Sequence, residues 1–382
     1  IGIGVIGANP SAASTPKMAP TRQLLLELKA REVDIKTFCY GIHPSALPEQ
    51  TLEEEAVDFV CRGEVFYTAL ELITRIKNKV SPYHPEIQGL WYKHAGTVME
   101  NGWGKEVENL DDLPIAAWDL LPMQGEVYRA HNWHCFGHLD KRSPYAVVYT
   151  SIGCPFHCHY CNIHAMYSGK AGIRFRSPAL VVKEIDFLVE KYQVRNIKVL
   201  DELFVLNPQR VHELCDLLIE RDYGLNFWVY ARIDTVTEEL LAKMKQAGVR
   251  WVCYGIESGS KKVRDGVVKG QFAAQQVYKT VQMTKDMGIN IMGNFMFGLP
   301  DDDLESMGQT LELAKELNCE YVNFYVTMAY PGSKLYQDVV NSDTMLPPNW
   351  AAYSQFSPDI VPLSTKFCSA KEVLLFRDRA FE

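Results

Sequence analysis

Residues 151–168 read SIGCPFHCHYCNIHAMYS and bring three cysteines, Cys154, Cys158 and Cys161, close together in the chain. Thiolates at this spacing bind a soft metal or a metal cluster, or form a disulfide. The apolar, β-branched run 146–152 before them predicts a strand, so we expect the cysteines in a loop at its carboxyl end. That is where a (β/α) barrel carries its chemistry. Three thiolates are one fewer than a 4Fe–4S cluster needs, which would leave one iron open to an exchangeable ligand.

Other uses of the three cysteines remain open from the residues alone. His157, His159 and His164 lie among the cysteines, so a structural zinc site is the main alternative. Zinc sites usually combine two separated ligand pairs, and the chain has no second C-x-x-C pair. Reactive or incidental thiols are a further alternative. The spacing favours a cluster over both.

Tyr160, immediately before the third cysteine, completes a C-x-x-x-C-x-aromatic-C pattern. This pattern resembles the motif of the radical S-adenosylmethionine (SAM) superfamily, which lies in the loop after the first barrel strand. The resemblance implies that Cys154, Cys158 and Cys161 are the catalytic ligands of a 4Fe–4S cluster. It also implies that the open iron binds SAM, which is cleaved to methionine and a 5′-deoxyadenosyl radical.

The composition is that of a globular protein with room for two domains. The 382 residues are 47% hydrophobic and 23% charged, with a formal net charge of −8. The negative charge and the lack of a basic run argue against nucleic-acid binding. Neither a membrane span nor a signal peptide is apparent, and cysteines kept as thiolates suit a reducing, cytoplasmic setting. The chain starts directly on a strand and stops inside a predicted helix, so we expect a fragment of a longer protein.

The order of apolar runs predicts an α/β fold of four segments. Residues 1–78 alternate strand and helix and predict part of a parallel, doubly wound sheet. Residues 79–141 predict a connector with a small hairpin, and 142–336 predict a partial (β/α)6 TIM-like barrel. Residues 337–382 predict a C-terminal extension. The six barrel strands are predicted at 146–152, 196–201, 226–232, 250–256, 291–297 and 321–327.

The first segment resembles part of a Rossmann-like cobalamin-binding domain that precedes many radical SAM modules. The resemblance lies in YGIHPS at 40–45 and DFVCRGE at 58–64, which correspond to a GGPHPT-like loop and a DFVVRGEGE-like strand end. The DxHxxG loop of that family is not found, so we expect His43 to border the corrin without ligating cobalt. A vestigial domain with no ligand is the alternative. The cobalamin-binding residues implied by the resemblance are Gly7, Asn9, Ser11, Gly41, His43, Pro44, Gly63 and Glu64.

Polar residues and glycines follow the barrel strands where a ligand would bind. The radical SAM resemblance implies that Asp201 and Glu202 hold the SAM amino group, and that Glu257 and Ser258 contact its ribose. It places the stretch 293–300 beside the adenine. Arg232 is expected to pair either with the SAM carboxylate or with Glu257. The complete predicted SAM-binding set is Tyr160, Asp201, Glu202, Arg232, Glu257, Ser258, Gly293, Asn294 and Phe297.

The two resemblances together imply a cobalamin-dependent radical SAM methyltransferase. It would act on an unactivated carbon or phosphorus centre of a small molecule, with a 4Fe–4S cluster, SAM and cobalamin as cofactors. An electron donor such as flavodoxin or ferredoxin is the expected partner. The alternatives are a related enzyme that ends in rearrangement, cyclisation or oxidation without methyl transfer, and a zinc-stabilised interaction protein without turnover.

Overall fold

A computed structural model describes residues 1–31, 34–124, 127–270, 272–342 and 344–382. The first part of the chain forms a five-stranded sheet in sequential order. Its strands are β1 (Gly2–Val5), β2 (Phe38–Gly41), β3 (Phe59–Cys61), β4 (Leu90–His94) and β5 (Thr97–Glu100). The first three are parallel, as predicted, and the last two are antiparallel.

The predicted connector is therefore partly incorporated into the first sheet. Strands β4 and β5 form its small hairpin, and β4 pairs with β3 instead of standing apart. The reason is hydrophobic burial, because Leu90, Trp91 and Tyr92 are nearly inaccessible against the β3 residues.

Four helices connect or flank these strands: α1 (Met18–Arg31), α2 (Ile42–Ala46), α3 (Pro48–Glu54) and α4 (Val65–Lys77). The short helix α2 corrects the prediction of a loop after β2. Gly41 precedes this helix with φ of +114°, a conformation that an L-residue rarely adopts.

The second sheet begins at β6 (Tyr145–Val148) and is followed by a hairpin, β7 (Ser151–Cys154) and β8 (Gly172–Phe175). It continues through β9 (Asn196–Val199), β10 (Asn226–Ala231), β11 (Val249–Glu257), β12 (Asn290–Phe297) and β13 (Tyr321–Val326). The order is β6-β9-β10-β11-β12-β13, and every pairing is parallel. The predicted α/β class and all six strands are confirmed. The six strands form an open sheet in this structure.

Helices lie between the strands and cover one face of the second sheet. They are α5 (Pro178–Tyr192), α6 (Pro208–Arg221), α7 (Glu238–Gln246), α8 (Lys261–Gly266), α9 (Ala274–Asp286) and α10 (Leu304–Leu317), followed by α11 (Lys334–Val340) and α12 (Ala370–Ala380). The main hydrophobic core forms here, where strand residues such as Val229 and Ile291 pack with Ile185 and Leu214. None of the helices within the described ranges is long and apolar enough to cross a membrane.

The opposite face of the second sheet, here called the inner face, has a different character. Side chains alternate between the two faces of a strand, so residues two apart in β9–β13 share this face. Its residues are mainly aromatic, polar or sulfur-containing: Lys198, Trp228, Tyr230, Trp251, Cys253, Met292, Asn294, Met296, Asn323 and Tyr325. Hydrogen bonds from Asn323 to Asn294 and from Asn294 to Cys253 run across it. Trp133, in the segment before β6, packs against Trp228 and Trp251 with ring centroids 5.1 and 5.0 Å away, so part of this face is buried.

His43 ties the first sheet to the C-terminal segment. Its ring meets Trp350 edge-on, with centroids 4.7 Å apart, and its Nδ1 lies 3.2 Å from the Thr15 hydroxyl. The residue is 1% exposed, and burial lowers its pKa to about 3. The imidazole is therefore neutral in the folded chain at neutral pH.

This burial predicts acid sensitivity with a definite sign. Between pH 6.5 and 3 the unfolded state binds a proton at His43 that the folded state does not, so stability falls as the pH drops. At pH 5 the loss from this residue is about 2 kcal/mol. Urea unfolding at pH 8 and at pH 5 measures the free energy of unfolding at each pH. Between the two, His43→Phe should lose less of this free energy than the wild type. The control His212→Phe, on α6, should lose as much stability as the wild type. Equal losses in all three proteins would show that His43 is not the source of the acid sensitivity.

Candidate active site

The cysteine loop leaves the second sheet at β6 and begins within the β7–β8 hairpin. Gly153 has φ of +96°, and a Cβ there would come 2.5 Å from the carbonyl oxygen of Gly172 on the facing strand. Cys154 ends β7, and its carbonyl oxygen lies 2.9 Å from His164 Nε2. The amide of Cys161 donates to the carbonyl of Cys158 at 3.0 Å. The backbone thus closes the loop on itself around the three thiols.

All three thiols are free and only partly buried, unlike most other cysteines of the chain. Burial raises the pKa of Cys154, and it raises the pKa of Cys161 to about 12. Such thiols need a strong electrostatic partner to ionise, and a metal centre provides one. The chemistry of this donor set fits the three-thiolate cluster predicted from the sequence.

A site for a single metal ion does not form around the interleaved histidines. In the described parts of the chain no group of three or more His, Cys, Asp or Glu side chains could hold one ion. A zinc ion requires its ligands to converge on one point, whereas cluster thiolates bind different irons and need not converge.

Asp201 is buried at the carboxyl end of β9 and holds the start of the cysteine loop. Its carboxylate accepts hydrogen bonds from the amide of Thr150 at 2.6 Å, from the hydroxyl of Thr150, and from the hydroxyl of Ser151 at 2.6 Å. Burial raises the pKa of Asp201, and these hydrogen bonds oppose the rise. The carboxylate predicted to bind the SAM amino group is thus already occupied by the protein.

Glu202 lies next to the loop with a carboxylate that is less fully engaged. Its Oε2 accepts from the amide of Gly153 at 3.1 Å, and burial raises its pKa to about 8. Of the two predicted acidic residues, Glu202 is therefore the one that remains suited to a cationic ligand group.

Glu257, Tyr160 and Lys269 form one buried cluster. Glu257 Oε1 accepts from the Tyr160 hydroxyl at 3.1 Å and pairs with Lys269 Nζ at 2.8 Å. Burial disfavours the charge on Lys269, but Glu257 and Cys158 outweigh it and raise its pKa. The sequence predicted Tyr160 and Glu257 at the site and missed Lys269, which lies in a segment without a motif.

Arg232 pairs with Asp234 within the protein and not with Glu257. Its guanidinium makes two 2.9 Å hydrogen bonds to Asp234 and lies 3.8 Å from the ring centroid of Phe156 in the cysteine loop. The predicted ion pair with Glu257 is not formed. Arg232 and Lys269 thus bring two positive charges beside the thiols, and their fields favour the thiolate forms.

Ser258 and Asn294 are held mainly by other protein groups. The hydroxyl of Ser258 lies 3.1 Å from that of Thr310, so it tethers β11 to α10. Asn294 lies on the inner face and donates to Cys253 Sγ at 3.0 Å. Asn294 therefore faces the side where a ligand could bind, whereas Ser258 serves the helix side.

The ring of Phe297 packs on the helix side of the sheet, away from the three thiols. It is fully buried in the main core, with ring centroids 5.5 Å from Phe324 and 5.0 Å from Phe376. Gly293 also faces the helix side, since a Cβ there would approach Phe295 and Cys319. Alternation along β12 places both positions opposite Asn294.

The predicted cobalamin-binding glycines have structural roles of their own. A Cβ at Gly7 would come 2.0 Å from the Ala12 carbonyl oxygen, and one at Gly41 would come 2.3 Å from that of Val5. Both have positive φ, so larger residues would be strained there. Gly63 donates its amide to the hydroxyl of Ser45 at 2.9 Å.

Asn9 and Ser11 lie in the loop after β1. The Asn9 side chain caps a short 3-10 helix by accepting from the amide of Ser11 at 3.0 Å. Asn9 also donates from Nδ2 to the Tyr230 hydroxyl at 3.1 Å. This loop consequently reaches the inner face of the second sheet. His43 and Pro44 do not line a loop, because both are buried in α2.

Glu64, another predicted cobalamin-binding residue, is instead the centre of a buried link to the cysteine hairpin. Its carboxylate pairs with both terminal nitrogens of Arg174 on β8, one of them at 3.2 Å. It also accepts from the amide of Val107 at 2.9 Å. With 2% exposure, Glu64 has no free face for a ligand.

Removing this carboxylate should destabilise the chain. Glu64→Ala leaves Arg174 without its partner in a mostly buried position, which costs about 3 kcal/mol. Asp338→Ala, which breaks the exposed pair with Lys334, should cost less than about 1 kcal/mol. Chemical denaturation measures both. If Glu64→Ala is as stable as the wild type but retains cobalamin less well, Glu64 binds the ligand and its pairing with Arg174 is not its main role.

Comparison with known proteins agrees with this geometry. Residues 148–314, which contain the cysteine loop and most of the second sheet, match the radical SAM superfamily. An uncharacterized methyltransferase of Pyrococcus horikoshii is 30% identical over 321 residues, which cover 83% of this chain and 66% of that protein. The anaerobic magnesium-protoporphyrin IX monomethyl ester cyclase of Rubrivivax gelatinosus is 26% identical over 332 residues, which cover 86% of this chain and 57% of the cyclase. The chain thus spans less than two thirds of the length of both relatives.

The fold is shared with a solved enzyme over the whole chain. The radical SAM methyltransferase TsrM of Kitasatospora setae, solved with cobalamin and a [4Fe–4S] cluster bound, superposes with a TM-score of 0.71. The match covers 100% of this chain and 78% of TsrM at 17% sequence identity. At this identity the comparison establishes a common fold of the two sheets.

Proposed function

We propose that the chain is the core of a radical SAM enzyme that transfers a methyl group, with cobalamin, to an unactivated carbon or phosphorus centre of a small molecule. The observation that carries the proposal is the set of three free thiols in one loop at the edge of the second sheet, beside the Tyr160–Glu257–Lys269 cluster. The loop lies inside the segment that matches the superfamily.

The bound cofactors would supply the difficult chemistry. A 4Fe–4S cluster and SAM would supply a carbon-centred radical, and cobalamin would supply a methyl group. The residues of this chain would bind the cofactors and orient them. Cys154, Cys158 and Cys161 would ligate the cluster, while Lys269 and Arg232 offset its negative charge. The aromatic and partly buried inner face limits the access of water to reactive species.

Cobalamin would bind at the carboxyl end of β1, where the loop after Gly7 meets the inner face through Asn9. TsrM, which shares the fold of both sheets, was solved with cobalamin bound, and this supports cobalamin as a cofactor. His43 is not offered as the cobalt ligand, because its ring is buried between Thr15 and Trp350. Reduction of the cluster requires a donor such as flavodoxin or ferredoxin, which suits a cytoplasmic setting.

A second function is favoured by one relative. The cyclase of Rubrivivax gelatinosus forms a ring according to its name, so cyclisation without methyl transfer fits the same scaffold. Turnover with SAM carrying a ¹³C-methyl group separates the two functions, since only a methyltransferase delivers the label to its product.

Replacement of Cys158 by Ala should abolish cluster binding and SAM cleavage while the helical content is retained. The residue lies in a loop outside the core, so the fold does not depend on it. Iron content and 5′-deoxyadenosine formation are measured after anaerobic reconstitution. Cys319→Ala, outside the loop, serves as the control and should retain both. A Cys158→Ala protein that keeps its iron and still forms 5′-deoxyadenosine would refute the proposal.

Glu257→Gln should weaken SAM binding about tenfold or more without loss of the cluster, because a charge-assisted hydrogen bond contributes about 1.5–3 kcal/mol. The amide can still accept from Tyr160 and Lys269, which limits the effect on folding. Equilibrium binding of SAM to the reconstituted protein measures the change. Glu316→Gln on α10 is the surface control. Unchanged affinity would leave Glu257 with only its structural pairing to Lys269.

A further inference from the structure

Lys198 is a lysine on the inner face that has no acidic partner. Its Nζ lies 4.3 Å from the ring centroid of Trp228 and 5.6 Å from that of Tyr230. In the described part of the chain no carboxylate pairs with it, whereas Lys269 has Glu257 at 2.8 Å. Burial lowers the pKa of Lys198 to about 8. The folded chain therefore holds a poorly solvated cation over two neighbouring aromatic rings.

A second lysine approaches from the first sheet. Lys17 Nζ donates to the carbonyl of Ile6, next to the carboxyl end of β1, at 2.6 Å. Its charge contributes to the lowered pKa of Lys198, after burial, so the two ammonium groups are close enough to repel each other. No ion pair with an acid forms at Lys17 within the described ranges either, and burial lowers its pKa.

The acidic group that acts on Lys198 is the Cys253 thiol, but burial raises the pKa of Cys253 to about 12, so it is uncharged at neutral pH. Burial and then the charge of Lys198 lower the pKa of His131, which places a third basic group nearby. Asn9 and Tyr230, hydrogen-bonded at 3.1 Å, join the β1 loop to the inner face beside them. Lys17 is exposed and Lys198 is half-buried, so an anionic ligand that enters beside the β1 loop would meet both ammonium groups and offset the cost of burying Lys198.

We propose that Lys198 and Lys17 bind an anionic group of the substrate, a phosphate, phosphonate or carboxylate, between the first sheet and the inner face. Tyr230, which is only partly buried, would pack against the adjoining apolar part of the same molecule, with the buried Trp228 beneath it. This assignment rests on the proposed function and adds a substrate class to it. The phosphodiester in the nucleotide tail of cobalamin has the same anion chemistry, so the experiment must separate the two sources.

The test uses phenylphosphonate as the probe, because it combines a dianion with an aromatic ring, and benzyl alcohol as its uncharged counterpart. Calorimetry and tryptophan fluorescence report binding, the latter because Trp228 lies against Lys198. Saturable binding of phenylphosphonate, with benzyl alcohol bound at least tenfold more weakly, is expected for the unaltered protein. Equal binding of both probes would overturn the proposal without recourse to any variant.

Lys198→Met and Lys17→Met should each weaken phenylphosphonate binding about tenfold or more. Lys191→Met is a matched control, since Lys191 also lies over two rings, Phe187 and Tyr192, but on the helix side. It should bind like the unaltered protein. Unchanged affinity in the Lys198 variant, or an equal loss in the control, would overturn the proposal.

Cobinamide, which lacks the nucleotide tail, distinguishes the two anion sources. If Lys17→Met and Lys198→Met retain cobalamin and cobinamide alike, the anion belongs to the substrate. If they lose cobalamin but retain cobinamide, the anion is the cobalamin phosphodiester and the substrate assignment is overturned. Probe binding needs neither SAM nor a reductant, so it should persist in Cys158→Ala. Intact probe binding without SAM cleavage in the unaltered protein would refute the proposed function alone.

Discussion

The buried carboxylate of Asp201 is the interaction on which the cysteine loop depends. It accepts from Thr150 and Ser151 at the point where the chain leaves the second sheet. Arg210 of α6 adds a 2.7 Å hydrogen bond to the Thr150 carbonyl. Because these contacts satisfy the polar groups of a fully buried turn, the loop starts from one defined position. The position of the three thiols relative to the strands is fixed by this starting point.

A second constraint is the backbone of Glu257, which has φ of +66° at the end of β11. A residue with a side chain is unfavourable in this conformation by about 1–3 kcal/mol. The contacts with Tyr160 and Lys269 offset that cost and hold the carboxylate toward the cysteine loop. Local strain and a buried ion pair therefore occur together where a ligand is expected.

The strands of both sheets and the cysteine motif could be predicted because they depend on local pattern. Apolar runs fall close to β6 and β9–β13, and the motif needs only the order of residues. The direction of individual side chains was harder to predict: Phe297 points to the helices because of its place in the alternation of β12. Glu64 and Arg174 are distant in sequence, so no local sequence pattern could predict that they pair. Lys198 and Lys269 carry no motif, and only the folded sheet reveals their surroundings.

The Glu64–Arg174 pair also bears on the order in which the molecule can be assembled. Arg174 lies on β8, which completes the cysteine hairpin, while its carboxylate partner follows β3 of the first sheet. A nascent chain in which the two sheets have not yet met lacks this contact, so the hairpin is anchored on one side only. Any change that separates the two sheets would therefore loosen the loop that carries the three thiols.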